Sequence, residues 1–321
     1  MTGVAIVGTG RMAAAHAAAW RTLEPDAEVL AVVSERTARA LADAPRARAT
    51  IDLDAVLADP AVEVVSICTP TDSHVRLALR ALDAGKHVLL EKPLASTVEE
   101  GEALLRRAAA GPGLLMVAHV VRFFPGYAAV RDLVRRGELG EVAEVRAARL
   151  SSDPDRPAWL QDEARSGGLL VDLAVHDFDQ LLLLLGPAVR VTSAPVDEGV
   201  EAVVEHAGGG RGTVRVGWDL PPERPFETDL EVRGDRGRAH YAFRAGQPPR
   251  SELRVETRSS ASLTEVDPGD PYAVEVADFL THVREGSTPV HGAVPDALAA
   301  LRLGLAARES LLTGRPVDLR R

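Results

Sequence analysis

At 321 residues the chain exceeds what one hydrophobic core usually serves, so two domains are expected. A hydrophobic content of 46% is ordinary for a soluble globular protein, and an aromatic share of 4% means that the core is built mainly from Ala, Val and Leu. A net charge of −10 argues against a nucleic-acid partner, and the lone Cys68 excludes an internal disulfide and a cysteine-type zinc site.

No apolar run approaches the roughly 20 residues of a membrane span, so no membrane partner is expected. The opening Met1-Thr2-Gly3-Val4 has no basic segment ahead of its apolar run. A cytoplasmic protein without a secretory signal is the expectation.

The first 120 residues alternate strand and helix signals. Strands are expected at 4–7, 29–33, 62–68, 87–90 and 114–118, and helices at 12–22, 37–43, 72–84 and 98–110. The strands are apolar runs without strict polar alternation, which marks a parallel sheet covered on both faces. The rhythm then changes. A helix at 125–136 precedes an alternating strand at 142–150, and an irregular stretch, 151–168, leads into a helix at 169–185. Alternating segments between 189 and 255 read as antiparallel strands, and helices at 274–285 and 295–312 close the chain. The expected architecture is a parallel α/β domain, residues 1–119, followed by a mainly antiparallel α+β domain, residues 120–321.

The first strand runs into Gly8-Thr9-Gly10-Arg11-Met12-Ala13. Gly8 permits a tight turn, Gly10 lets backbone approach a pyrophosphate, and Ala13 allows a helix to pack closely on the strand. The helix N-terminus then offers N–H groups and a positive dipole end. A dinucleotide such as NAD or NADP is the implied ligand. The end of the second strand should meet its ribose, where the sequence reads Ser34-Glu35-Arg36. Ser34 facing the ribose, with Arg36 near a 2′-phosphate, favours NADP; Glu35 reaching in would favour NAD. The lean is towards NADP, and strand register leaves both open.

Four further motifs follow in order. Ser66-Ile67-Cys68-Thr69-Pro70-Thr71-Asp72-Ser73-His74 ends the third strand, and Glu91-Lys92-Pro93-Leu94 ends the fourth. His119-Val120-Val121-Arg122-Phe123 follows the fifth, and Gly167-Gly168 opens a helix containing Asp172, His176, Asp177 and Asp179. With the glycine turn, this ordered set resembles the glucose–fructose oxidoreductase / inositol dehydrogenase / rhizopine-catabolism (Gfo/Idh/MocA) family over essentially the whole chain.

The resemblance implies a Rossmann domain, then an α+β domain whose large open sheet commonly mediates dimers or tetramers. It implies that Lys92 sits near the nicotinamide and the substrate hydroxyl. Asp172 and His176, at the family's Asp-x-x-x-His spacing, would be the other catalytic positions. A cis Lys92–Pro93 bond is also plausible from the resemblance. The sequence departs from it at Ser34, where many members carry a ribose-binding Asp.

Oxidising a secondary alcohol removes a hydroxyl proton as the hydride leaves, and histidine has the side chain suited to accept it near neutral pH. Asp172 and His176 lie four apart on a predicted helix and so share a face. His176 is the candidate base, with Asp172 orienting the imidazole or the substrate hydroxyl. Lys92 would hydrogen-bond the developing alkoxide. Alone, an Asp/His pair at helical spacing is ordinary surface chemistry. The apolar surroundings of this helix and the two glycines before it set the pair apart.

Cys68, Thr69 and Pro70 should pass under the cofactor, Cys68 itself as inert packing. His74, Glu91, Pro93 and His119 belong to the same cofactor set, with a capping or packing role for His74 equally weighted. Arg122, Trp159 and Asp179 are the candidate substrate contacts. No metal site is expected, since Asp177 points away from the Asp172/His176 face. The expected reaction is NAD(P)-dependent oxidation or reduction of a sugar, inositol or related polyol. NAD-dependent glycoside cleavage through transient oxidation, or non-catalytic dinucleotide sensing, are the alternatives.

Overall fold

The computed structural model describes residues 1–34, 47–152 and 156–320. The expected helix at 37–43 lies outside the described residues.

The opening apolar run forms β1 (Thr2–Val7), with every residue buried. The chain continues through α1 (Arg11–Arg21), β2 (Ala27–Val33), β3 (Arg48–Thr50), α2 (Leu53–Ala58) and β4 (Val62–Ile67). A 3-10 turn at Thr71–Ser73 leads into α3 (His74–Asp83), and β5 (His87–Glu91), α4 (Val98–Ala110) and β6 (Leu115–Ala118) follow. β3 and α2, three and six residues long, were too short to stand out in the sequence.

The six strands pair in parallel in the order β3-β2-β1-β4-β5-β6. Growth of the sheet reverses between β3 and β4, so the carboxyl ends of β1 and β4 border the switch point where open α/β sheets bind ligands. Helix starts are fixed locally: before α4, Thr97 accepts from the Glu100 amide at 3.2 Å, while Glu100 Oε2 accepts from the Ser96 amide at 3.1 Å. That is reciprocal capping of the kind that satisfies orphan donors.

Next come α5 (Pro125–Arg135), β7 (Val142–Leu150) and two single-turn helices, α6 (Ala158–Gln161) and α7 (Glu163–Ser166), in the stretch read as irregular. The helix expected at 169–185 is not uniform. It opens as a π-helical turn, Leu169–Leu173, and becomes α-helical as α8 (Val175–Leu185). Seven strands follow: β8 (Ala188–Val196), β9 (Gly199–His206), β10 (Arg211–Gly217), β11 (Glu227–Gly234), β12 (Gly237–Arg244), β13 (Arg250–Thr257) and β14 (Ala261–Glu265). The chain ends with α9 (Pro271–Glu285), α10 (Val294–Thr313) and β15 (Val317–Asp318).

The second sheet has nine strands in the order β14-β13-β12-β11-β7-β10-β9-β8-β15. All its pairings are antiparallel except β10 with β7. Alternating burial along β9, β10 and β11 turns one face towards the core, where α8 buries Phe178 and Leu181.

Two compact units result: Met1–Phe123 with Asp270–Leu298, and Phe124–Gly269 with Ala299–Arg321. This differs from a linear division at 119/120, because α9 returns to the first unit. Its Val276, Phe279 and Leu280 complete the cluster formed by Ala13, Ala17 and Trp20. Phe279 meets Trp20 edge-on with ring centroids 6.4 Å apart. No helix among the described residues is long and apolar enough to cross a membrane.

Candidate active site

Gly8 has φ +120, and a Cβ there would stand 2.4 Å from the Cys68 carbonyl oxygen. The backbone of the turn is thus pressed against the end of β4, and only glycine fits. The turn is held on both sides: the Gly8 amide donates to Val33 O at 2.9 Å, and the Cys68 amide to Val7 O at 2.8 Å. Gly10 caps α1 and brings no side chain of its own to the helix start, and the first turn carries no acidic residue. A Cβ on Gly10 would meet nothing within 4 Å. An open, positively polarised helix end fits a dinucleotide pyrophosphate.

Thr9 Oγ1 lies 3.2 Å from Ser34 Oγ, so the turn and the end of β2 are linked at the expected ribose position. Arg11 and Met12 open α1. Glu35 and Arg36 lie outside the described residues.

The loops after β4 and β5 are tied together by one histidine. His74 is buried, its Nδ1 2.8 Å from Pro93 O and its Nε2 2.9 Å from Thr69 O. Burial lowers the pKa of its imidazole against the pull of the two carbonyls. Ser73 Oγ lies 2.7 Å from both Thr69 Oγ1 and Pro70 O, so its single proton can serve the carbonyl while its lone pair accepts from the Thr69 hydroxyl. His74 therefore fixes the Thr69–Pro70 segment against the Lys92–Pro93 segment, whose peptide bond is cis. Lys92 is half-buried and Pro93 buried.

Cys68 is buried, its sulfur 4.0 Å from Ser66 Oγ. Glu91, just before Lys92, turns its carboxylate inwards to His16 of α1, Oε1 to Nε2 at 3.0 Å. His119 is buried, and its backbone amide donates to Val117 O at 2.8 Å. Arg122 is also buried and donates to Asp296 Oδ2 at 3.0 Å.

In the second unit, Gly167 and Gly168 have φ +83 and +75, and the π turn begins after them. The Ala174 amide reaches back to Leu169 O at 3.0 Å, and the Asp172 amide to Gly168 O at 2.8 Å. Four α-helical residues overshoot a full turn by about 40°. Asp172 stands in the π turn and His176 in the first turn of α8, four positions on. Both are buried but not sealed, with relative exposures of 6% and 9%.

Asp177 is wholly buried on another side, where both its oxygens are gripped by Arg149 of β7. Burial opposes the Arg149 charge, but Asp177 and Tyr127 outweigh it and raise its pKa. The pair locks the first turn of α8 to the sheet and leaves Asp177 no metal-binding role. Asp179 is buried and accepts from Gln180 Nε2 at 3.3 Å. Trp159 is half-buried in α6. No group of three or more His, Cys, Asp or Glu among the described residues is arranged to hold a metal ion.

Sequence reasoning missed His16 and Arg149, and gave Ser66 no role beyond opening a motif. Only His16 left a signal, as the single polar residue between Arg11 and Arg21 in an alanine-rich helix.

Residues 2–119 match an oxidoreductase family with an NAD-binding Rossmann fold, and residues 127–240 match the GFO/IDH/MocA C-terminal domain. Inositol 2-dehydrogenase of Rhizobium meliloti (strain 1021) is 30% identical over 336 aligned residues, spanning 98% of this chain and 98% of the relative. The scyllo-inositol 2-dehydrogenase (NADP(+)) IolW of Bacillus subtilis (strain 168) is 32% identical over 167 residues, 52% of this chain and 47% of that protein. The solved structure of GenD2 from gentamicin A biosynthesis, in complex with NAD, is similar at a TM-score of 0.86 and 26% identity, covering 100% of this chain and 97% of that one.

Proposed function

Since this chain belongs to the Gfo/Idh/MocA family of NAD(P)-dependent oxidoreductases acting on CH–OH groups, we propose that it interconverts a secondary alcohol and a ketone on a sugar, inositol or related polyol. The observation that carries this reading is the Gly8–Gly10 turn at the carboxyl end of β1, which leads into a helix N-terminus capped by Gly10 itself. NAD(P) bound there supplies the two-electron redox partner.

Gly8, Thr9, Gly10, Arg11 and Met12 would hold the pyrophosphate, and Ser34 the ribose. Ser34 brings no carboxylate to repel a 2′-phosphate, so the preferred cofactor is read as NADP. A relative named for NADP(+) supports that lean, and a structure in complex with NAD weighs against it.

The chain's own residues handle the proton and the developing charge. His176 takes the hydroxyl proton as the C–H electron pair departs, and returns it in the reverse direction. Asp172, four positions before it, orients the imidazole or the substrate hydroxyl. The Lys92 ammonium donates to the oxygen as it gains alkoxide character, a contact strongest at the transition state. Trp159 is proposed to flank the sugar ring, with Arg122 and Asp179 as polar contacts. The outer face of the nine-stranded sheet is the proposed contact for a homodimer or homotetramer.

The test is absorbance of the reduced nicotinamide during incubation with a panel of sugars and cyclitols, NAD and NADP in parallel. Stoichiometric reduction with at least one cyclitol or sugar, strongly slowed in Lys92→Ala, is expected. Glycoside cleavage with no net absorbance change, or turnover untouched by Lys92→Ala, would overturn the reading.

A further inference from the structure

We propose that His16 is a positioning residue for Lys92, acting through Glu91; this rests on the reading of Lys92 as the alkoxide donor. His16 lies midway along α1 and has no exposed surface. Burying an imidazole is costly unless both ring nitrogens find partners. Both do: Nδ1 lies 2.7 Å from Ser66 Oγ on β4, and Nε2 3.0 Å from Glu91 Oε1 at the end of β5. The other oxygen of the same carboxylate, Oε2, accepts the backbone N–H of Lys92 at 3.2 Å. One carboxylate therefore spans from the helix that starts at the dinucleotide turn to the main chain of the proposed catalytic lysine.

Burial works against both charges, yet each group moves towards its ionised form. Cys68 and Glu91 raise the His16 pKa well above its usual value, and His16 lowers that of Glu91. The contact is a charge-assisted pair, and such bonds hold geometry better than neutral ones.

Without the imidazole, Glu91 is a buried carboxylate whose charged form is still favoured by the Lys92 ammonium and by His74, with Lys92 the larger influence. Its relaxed state would draw the ammonium away from substrate or release the Lys92 amide. His16 thus does two things: it holds the Lys92 backbone at a fixed point, and it keeps Glu91 from competing for the side chain.

The experiment uses the full chain. Amide hydrogen exchange at Lys92 is followed in wild type, His16→Ala, His16→Gln and Glu91→Gln, with thermal melts to verify folding. Exchange is expected to rise about tenfold or more in His16→Ala and to be partly restored in His16→Gln, which keeps a donor for Glu91. In turnover, His16→Ala should lower kcat about 10- to 100-fold with little change in cofactor Kd. On a Lys92→Ala background it should cost nothing further.

Wild-type exchange at Lys92 in His16→Ala, or a kcat loss that adds in full to that of Lys92→Ala, would overturn the proposal. If His16→Ala does not fold, the two glutamine variants carry the same exchange comparison. An inactive wild type across the sugar and cyclitol panel would defeat the proposed function, while the exchange measurement would still decide whether His16 fixes the Lys92 backbone.

Discussion

Arg149 holds Asp177 through two parallel bonds, Nε to Oδ2 and Nη2 to Oδ1, each 2.9 Å long, one residue beyond His176. Arg149 also reaches the Tyr127 hydroxyl at 3.2 Å, and its guanidinium lies over the Phe226 ring at 5.9 Å from the centroid. A planar fork matched to a planar carboxylate fixes the rotation of a helix about its axis as well as its distance from the sheet. The azimuth of His176, the proposed base, is therefore set by a pair to which the proposed chemistry gives no step.

Breaking that pair from one side leaves an uncompensated buried charge. Arg149→Met or Asp177→Leu alone should destabilise the protein by about 3–5 kcal/mol, whereas the double variant should recover most of the loss. Urea unfolding of all four species measures the coupling. Strictly additive losses would mean that the two groups act independently.

His176→Asn keeps a hydrogen-bonding side chain of similar reach but removes a group able to accept a proton near neutral pH. A loss of about 10²–10⁴ in kcat/KM is expected, the range for a positioned general base, with cofactor affinity unchanged. Activity within a few-fold of wild type would move the base elsewhere.

Much of this site was visible in sequence because its parts are local. Gly8, Gly10 and Ala13 declare a strand–turn–helix junction through steric need, and Glu91-Lys92-Pro93 ends an apolar run at a strand's carboxyl end. Asp172 and His176 stand out as polar residues in an apolar helix. What stayed hidden depends on contacts between distant segments. Nothing in residues 271–285 says that Phe279 will pack on Trp20. The π turn differs from α-helix by one residue of hydrogen-bond span, which hydrophobic periodicity does not resolve. His16 and Glu91 are 75 positions apart, so their pairing appears only once α1 and β5 are side by side.

The proposed preference for NADP rests on Ser34, whose hydroxyl is linked to Thr9. Ser34→Asp would place a carboxylate where a 2′-phosphate is expected. Like charges some 4 Å apart repel by about 1–4 kcal/mol, depending on their exposure to water. The ratio of kcat/KM for NADP to that for NAD should fall about tenfold or more. Initial rates with both cofactors measure it, and an unchanged ratio would remove Ser34 from the ribose site.

Glu275 supplies a test in pH. It is wholly buried in α9 near His16, and neither carboxylate oxygen has a hydrogen-bond partner among the described residues. Burial raises its pKa well above the usual 4.5, outweighing the favourable effect of His16, while Glu91 and Asp278 push it the same way. The folded state therefore keeps a proton that the unfolded chain releases above about pH 4.5, so this residue erodes stability as pH rises from there to its folded-state pKa. Each pH unit in that window costs about 1.4 kcal/mol. Glu275→Leu removes the titration, so the variant's stability relative to wild type should rise with pH above about 4.5 and level off once the folded-state pKa is passed. Urea midpoints at four or five pH values trace the difference. A constant offset would show that Glu275 titrates alike in the folded and unfolded chain, leaving it as a second negative charge beside the His16–Glu91 pair.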